Sequence, residues 1–201
     1  MIRVLLAEDQ AMVRGALSAL LNREQDIEVI AEVARGDEVV AAALAARPDV
    51  ALLDIEMPGG NGLEAAQALQ KALPTCRSVI LTTFGRSGYL RRAMESGAVG
   101  FLLKDAPASE LVVALRRVMA GERVVDPELA LAALSEGSNP LTARERDVLS
   151  ASLFGASLAE IAAQLVLSEG TVRNHLSTAM QKLGAQNRME AARLAEQKGW
   201  L

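Results

Sequence analysis

Four short apolar runs end in side chains that could do chemistry together. Glu8 and Asp9 follow residues 2–7, Asp54 closes 50–54, Thr82 lies at the end of 78–83, and Lys104 closes 100–104. Three carboxylates brought close would repel one another unless a cation intervened. A hard divalent ion suits oxygen ligands, and Mg²⁺ takes few protein ligands while keeping its waters, with Mn²⁺ as the alternative. An ammonium from Lys104 and a hydroxyl from Thr82 would complete a cradle for a phosphoryl group, whose developing charge metal and lysine stabilise. Just after Asp54 the chain breaks at residues 57–60, MPGG, which would free a backbone carbonyl for the metal and leave the carboxylate open to attack. Singly, each residue has an ordinary explanation: the acid as a helix cap, the lysine as a surface charge, the threonine as a satisfied core hydroxyl. Their placement at successive strand ends is what makes one site of them.

Groups so far apart in sequence can meet only if the elements between them fold back each time. The runs at 2–7, 27–33, 50–54, 78–83 and 100–104 read as strands, and the first, third and fourth are apolar throughout, as parallel strands covered on both faces are. Helical stretches at 10–21, 37–46, 62–72, 87–96 and 108–120 alternate with them. Strict alternation predicts an open, doubly wound sheet of five parallel strands. The crevice of such a sheet lies beyond the carboxyl ends of its strands, where all five polar groups fall.

Composition excludes several classes. Of 201 residues 51% are hydrophobic, yet no run approaches the about 18 apolar residues of a membrane span. Glu8-Asp9 come too early for a signal peptide, and the single Cys76 excludes an internal disulfide and fits a reducing cytosol, so a cytoplasmic location is expected. One histidine, His175, argues against a zinc site within the chain, and 2% aromatics leave little for stacking on single strands. Net charge is −2 over residues 1–121, −3 over 122–139 and +1 over 140–201. Any nucleic-acid contact must come from a local face.

The composition also divides the chain into residues 1–121, a connector at 122–139, and a small domain at 140–201. Within the connector Asp126-Pro127 can open a short helix reaching about residue 134, before the turn-rich SEGSNP. Beyond it Thr142 with Glu145 and Ser157 with Glu160 form capping boxes, Ser168 caps a third helix, and Asn187 with Glu190 opens a fourth. The second and third of these helices meet at a tight break, Val166-Leu167. Val172, Leu176, Ala179 and Leu183 line one face of the third helix, while Arg173, Asn174, Ser177 and Gln181 line the other. A short helix pair with a polar face on its second member reads as a helix-turn-helix.

These motifs carry a family resemblance. AED at 7–9, LLDIEMPG around Asp54, LTT at 81–83 and FLLKD at 101–105 resemble a response-regulator receiver over residues 1 to about 120. LTARERDVL and IAAQLVLSEGTVRNHLSTAMQKLGAQNRMEA resemble the LuxR-type output domain of the NarL/FixJ regulators, and the local motifs are most similar to the DesR-like subgroup. The resemblance implies a flavodoxin-like receiver with its strands in the order 2-1-3-4-5. It implies Asp54 as phosphoacceptor, Asp9 and Asp54 as direct Mg²⁺ ligands, Glu8 acting through a bound water, Glu56 through its backbone carbonyl, and Lys104 on the phosphoryl oxygen. It implies a switch at Thr82 and the aromatic Phe101, which lacks the hydroxyl of the tyrosine often found there. It also implies base contacts from Arg173, Asn174 and Ser177, and phosphate contacts from Ser168, Thr171, Lys182 and Arg188. His175, between the two faces, suits packing.

The expected function is a DNA-binding transcriptional regulator, not an enzyme beyond its own phosphotransfer and dephosphorylation. Its expected partners are a sensor histidine kinase, double-stranded DNA with two half-sites, a second copy of the chain and RNA polymerase. Apolar residues outside the core stripes of the first and fifth helices, Met12, Val112, Val113 and Met119, suggest a symmetric dimer surface strengthened by phosphorylation. The rival readings are a phosphate-independent transcription factor with a vestigial receiver and a Mg²⁺-dependent aspartyl phosphatase. The phosphatase needs a second acid two residues after the nucleophile; Glu56 stands there, but Met57-Pro58 follows and the helix-turn-helix is left unexplained.

Overall fold

The computed structural model describes residues 1–83, 87–127, 129–131, 139–153 and 155–201. The chain divides into two compact units, Met1–Gly85 with Leu90–Leu131, and Arg86–Tyr89 with Ala132–Leu201.

The first unit is built on a wholly parallel sheet. Strands β1 (Ile2–Ala7), β2 (Ile27–Val33), β3 (Val50–Leu53), β4 (Arg77–Thr82), β5 (Gly100–Leu103) and β6 (Val124–Val125) lie in the order β2-β1-β3-β4-β5-β6. Successive side chains of β1 point to opposite faces, yet Val4, Leu5, Leu6 and Ala7 are all essentially unexposed, so both faces are covered. Helices α1 (Ala11–Leu21), α2 (Val39–Ala46), α3 (Gly62–Ala72), α4 (Ser87–Glu95) and α5 (Ala108–Met119) alternate with the strands. On one side Val4, Leu6, Val50, Leu52, Val79 and Leu81 pack with Leu111, Leu115 and Val118 of α5.

Two expectations are corrected. The sheet has six strands, not five, because Val124–Val125, inside the stretch read as a connector, pairs with β5 at Gly100↔Val124 and Phe101↔Val125. Two residues are too few to show a periodicity, and the open edge of β5 supplies their partner. Residues 37–46 are also not one helix: a 3₁₀ turn at Gly36–Glu38 precedes α2. The expected connector helix starts at Pro127, where Asp126 Oδ1 accepts the Leu129 N–H at 2.9 Å. Residues 129–131 are helical as well, and residues 132–134 of its expected course lie outside the described residues.

The second unit holds α6 (Ala143–Ser152), α7 (Leu158–Leu165), α8 (Glu169–Leu183) and α9 (Arg188–Gln197). Capping boxes at Thr142/Glu145 and Ser157/Glu160 open the first two. Ser168 and Asn187 cap the others through the Thr171 and Glu190 N–H groups. Ile161, Val172, Leu176, Ala191, Ala195 and Trp200 share a core with Val148 and Leu149. Helices α7 and α8 end in the same way. At α7 the Val166 and Leu167 N–H groups return to Ala163 and Ala162; at α8 those of Gly184 and Ala185 return to Gln181 and Met180. Each closure needs one left-handed residue, supplied by Gly184 at φ 65° but by Val166 at φ 55°. A β-branched residue there costs roughly 1–2 kcal/mol, and Val166 is 90% exposed.

Candidate functional site

Each reactive group of the first unit emerges where a strand lets go. The Glu8 N–H donates to Val33 O at 3.1 Å, that of Asp54 to Ala7 O at 2.9 Å, and that of Lys104 to Thr82 O at 2.8 Å. These bonds prolong the ladders by one residue, so the side chains leave a rigid sheet at one common edge.

There Lys104 Nζ lies 2.7 Å from Glu8 Oε2 and 2.8 Å from Asp54 Oδ2. Glu8 is 1% and Asp54 6% exposed, so one ammonium bridges two buried carboxylates. Burial alone would lower the Lys104 pKa, but hydrogen bonds to Asp54 and Glu8 outweigh it and hold the group above its ordinary 10.5. The second oxygens are held as well: Asp54 Oδ1 accepts the Ile55 N–H at 2.8 Å, and Glu8 Oε1 the Gln10 N–H at 3.2 Å. Asp9 is exposed beside them, and one oxygen from each of Glu8, Asp9 and Asp54 lies within 4.8 Å of the others. An all-oxygen set with one member open to water fits a small hard cation.

Thr82, fully buried, is the last residue of β4, and Phe101, also fully buried, sits in β5 opposite Ile80. Glu56 is exposed on the loop after Asp54. The structure thus brings Glu8, Asp9, Asp54 and Lys104 together and sets Thr82 and Phe101 on adjoining strands.

Two supporting residues escaped the sequence reading. Arg14 Nη1 donates to the carbonyl oxygens of Glu8 at 2.6 Å and Asp9 at 3.4 Å, pinning the turn that presents both acids. Its only signal is a cation one helical turn after Asp9-Gln10. Gly62 opens α3 so close beneath Asp54 that a Cβ would collide with the Asp54 carbonyl oxygen. Gly62→Ala is therefore expected to destabilise the first unit by about 1–3 kcal/mol, read as a lower urea midpoint at unchanged slope.

The expected dimer stripe is not one surface. Met12 is 86% and Val113 52% exposed, but Val112 is only 6% exposed and packs in the core, with Met119 half-buried against it. Val112 is corrected from surface to core residue, because the apolar side of α5 is wider than the stripe assumed. Only its edge reaches the shallow groove that Ala16, Ala19 and Leu20 of α1 form with Ala108 and Ser109 of α5. Val113 lines a separate cavity of about 580 Å³ with Arg117 and Val125, on the other flank of α5.

In the second unit Arg173, Asn174 and Ser177 are exposed along one face of α8, and His175 is half-buried beside them. The four residues expected on phosphates hold the fold itself. Ser168 Oγ caps α8 and lies 2.8 Å from Thr171 Oγ1, and Arg188 Nη1 donates to Ala156 O at 2.9 Å. Lys182 Nζ reaches both carboxylate oxygens of the buried Glu145, at 3.0 and 2.7 Å.

Residues 4–116 match the family model of the response regulator receiver domain, and residues 139–195 match that of bacterial regulatory proteins of the luxR family. The chain belongs to the response regulators that carry a LuxR-type DNA-binding domain. It is 46% identical to the uncharacterized transcriptional regulatory protein YvfU of Bacillus subtilis over 201 residues, all of both chains. It is also 46% identical to the transcriptional regulatory protein DesR of the same organism over 200 residues, covering 100% of this chain and 99% of that one. The crystal structure of response regulator ChrA, from a heme-sensing two-component system, matches with TM-score 0.59 at 36% identity, over 100% of this chain and 98% of that one. Receiver domains bind Mg²⁺ at an acidic pocket, the kind of cluster that Glu8, Asp9 and Asp54 form here. Among the described residues no helix is long and apolar enough to cross a membrane.

Proposed function

We propose that a sensor histidine kinase phosphorylates Asp54 and that the modified protein pairs with a second copy to bind two DNA half-sites. The observation that carries this reading is the Lys104 bridge between Glu8 and Asp54, with Asp9 alongside. In the transfer, an Asp54 carboxylate oxygen attacks phosphorus, a P–O bond forms, the P–N bond to the donor imidazole breaks, and that nitrogen leaves with the electron pair. Mg²⁺, held by Asp9 and Asp54, the Glu56 carbonyl and, through water, Glu8, would neutralise charge on the phosphoryl oxygens. Lys104 turns its hydrogen bond from the carboxylates to a phosphoryl oxygen, and Asp54 is held in place by the Ile55 N–H. Thr82 then donates its hydroxyl to the phosphoryl group, and Phe101 follows the space this opens. A small-molecule phosphodonor with Mg²⁺ should label the protein once, and Asp54→Ala should remain unlabelled; equal labelling of the variant places the acceptor elsewhere.

The second copy docks on the α1–α5 groove, where Ala16 and Ala19 of the lining continue with Met12 as an exposed stripe at helical spacing. Sedimentation should show a monomer that becomes a dimer on phosphorylation, with Met12→Glu staying monomeric. Identical profiles before and after phosphorylation would refute the pairing. Arg173, Asn174 and Ser177 read base edges, and RNA polymerase is the downstream partner.

A further inference from the structure

We propose that Val166, in the turn before α8, reads a thymine methyl group in the major groove. The inference rests on the helix-turn-helix reading of α7 and α8 and extends it to a residue outside the polar face. The two helix ends of this one unit make the argument. The closures after α7 and α8 use the same hydrogen-bond pattern and the same left-handed backbone, and only the second uses glycine. At position 166 the fold gains little from the side chain: it is 90% exposed, and its branched Cβ strains the very conformation the turn requires. Glycine or asparagine would serve the closure better. The benefit of valine therefore lies outside the folded chain.

Its position says where. Val166 is two residues before Ser168, the cap of α8, and the same helix carries the exposed Arg173, Asn174 and Ser177. A recognition helix brings its N-terminal residues to the base edges, so the turn leading into it borders the groove. Valine can neither donate to a phosphate nor accept from a base. The one apolar group that base edges present in the major groove is the C5-methyl of thymine.

The test is a double-mutant cycle with the full-length protein and a duplex selected by it from random DNA. The variants are Val166→Gly and Val166→Asn, both compatible with φ 55°, and the duplex is made with thymine or with deoxyuridine, which removes only the methyl groups. Losing a contact the size of one methylene corresponds to about a fourfold weaker binding. Wild type, with one such contact at each of two half-sites, should therefore bind the deoxyuridine duplex about 16-fold more weakly. Each variant should bind the thymine duplex about 16-fold more weakly and show little further loss on deoxyuridine. Both variants should also melt at higher temperature than wild type. If they respond to methyl removal as wild type does, Val166 does not read thymine and the proposal falls. Arg173→Ala separates that outcome from failure of the underlying reading: unchanged binding by this variant would mean that the exposed face of α8 is not what contacts bases.

Discussion

Lys104→Met should lower the stability of the first unit by about 3–5 kcal/mol in the absence of divalent ions, the cost of leaving buried charge without its partner. Glu8 and Asp54 are 1% and 6% exposed, and each now has the ammonium within 2.8 Å. Removing it sets two carboxylates against each other, with Asp9 nearby and little water to screen them. Millimolar Mg²⁺ should restore much of the loss, because a cation that binds only the folded acids stabilises by mass action. Chemical denaturation with and without Mg²⁺ checks both parts. Wild type should respond weakly to the metal and the variant strongly. A variant as stable as wild type without Mg²⁺ would show that the bridge holds nothing together. Phosphorylation by a small donor should also slow, since the ammonium that would neutralise the phosphoryl oxygen is gone.

The second large effect belongs to Glu145. Its carboxylate is 4% exposed, receives the Thr142 N–H at 2.7 Å, and takes Lys182 Nζ on both oxygens. Burial pushes its pKa up, but the hydrogen bonds from Lys182 and Thr142 outweigh this and hold it below the ordinary 4.5. A carboxyl whose folded pKa is depressed adds stability in full above its unfolded value, and that stability is lost as pH falls through the folded value. The second unit should thus weaken in acid, below about pH 4.5. Lys182→Met should remove about 2 kcal/mol at neutral pH, less than the cost of breaking a fully buried pair because the lysine is partly exposed, and should flatten the acid limb of the profile. If Lys182→Met keeps wild-type stability and instead weakens DNA binding with a shallower salt dependence, the lysine is a phosphate contact after all.

The parts of the fold that speak through pattern were readable from residues alone. The apolar runs at β1, β3 and β4 announced a covered parallel sheet, and its topology then brought Glu8, Asp9, Asp54 and Lys104 to one edge. The stretch expected as helix at 62–72 is helix α3, whose start is fixed by a reciprocal cap between Asn61 and Glu64 that the sequence reading did not use. What stayed hidden depends on partners distant in sequence. β6 exists because β5 has an open edge, and Lys182 is an internal ligand because Glu145 lies 37 residues earlier. Val112 read as surface because a helical wheel takes no account of how broad the neighbouring sheet is. Val166 has the composition of a core residue and the backbone of a glycine, a conflict visible only once φ is known.

The sixth strand changes where the receiver can be cut. A fragment ending at Gly121, where the helical pattern stops, would lack Val124 and Val125 and leave β5 a bare margin of unsatisfied amides beside Phe101. Such a margin invites neighbouring molecules to add strands of their own. Extended to Pro127, the fragment keeps its own selvedge, and the tether between the two halves begins several residues later than its composition suggests.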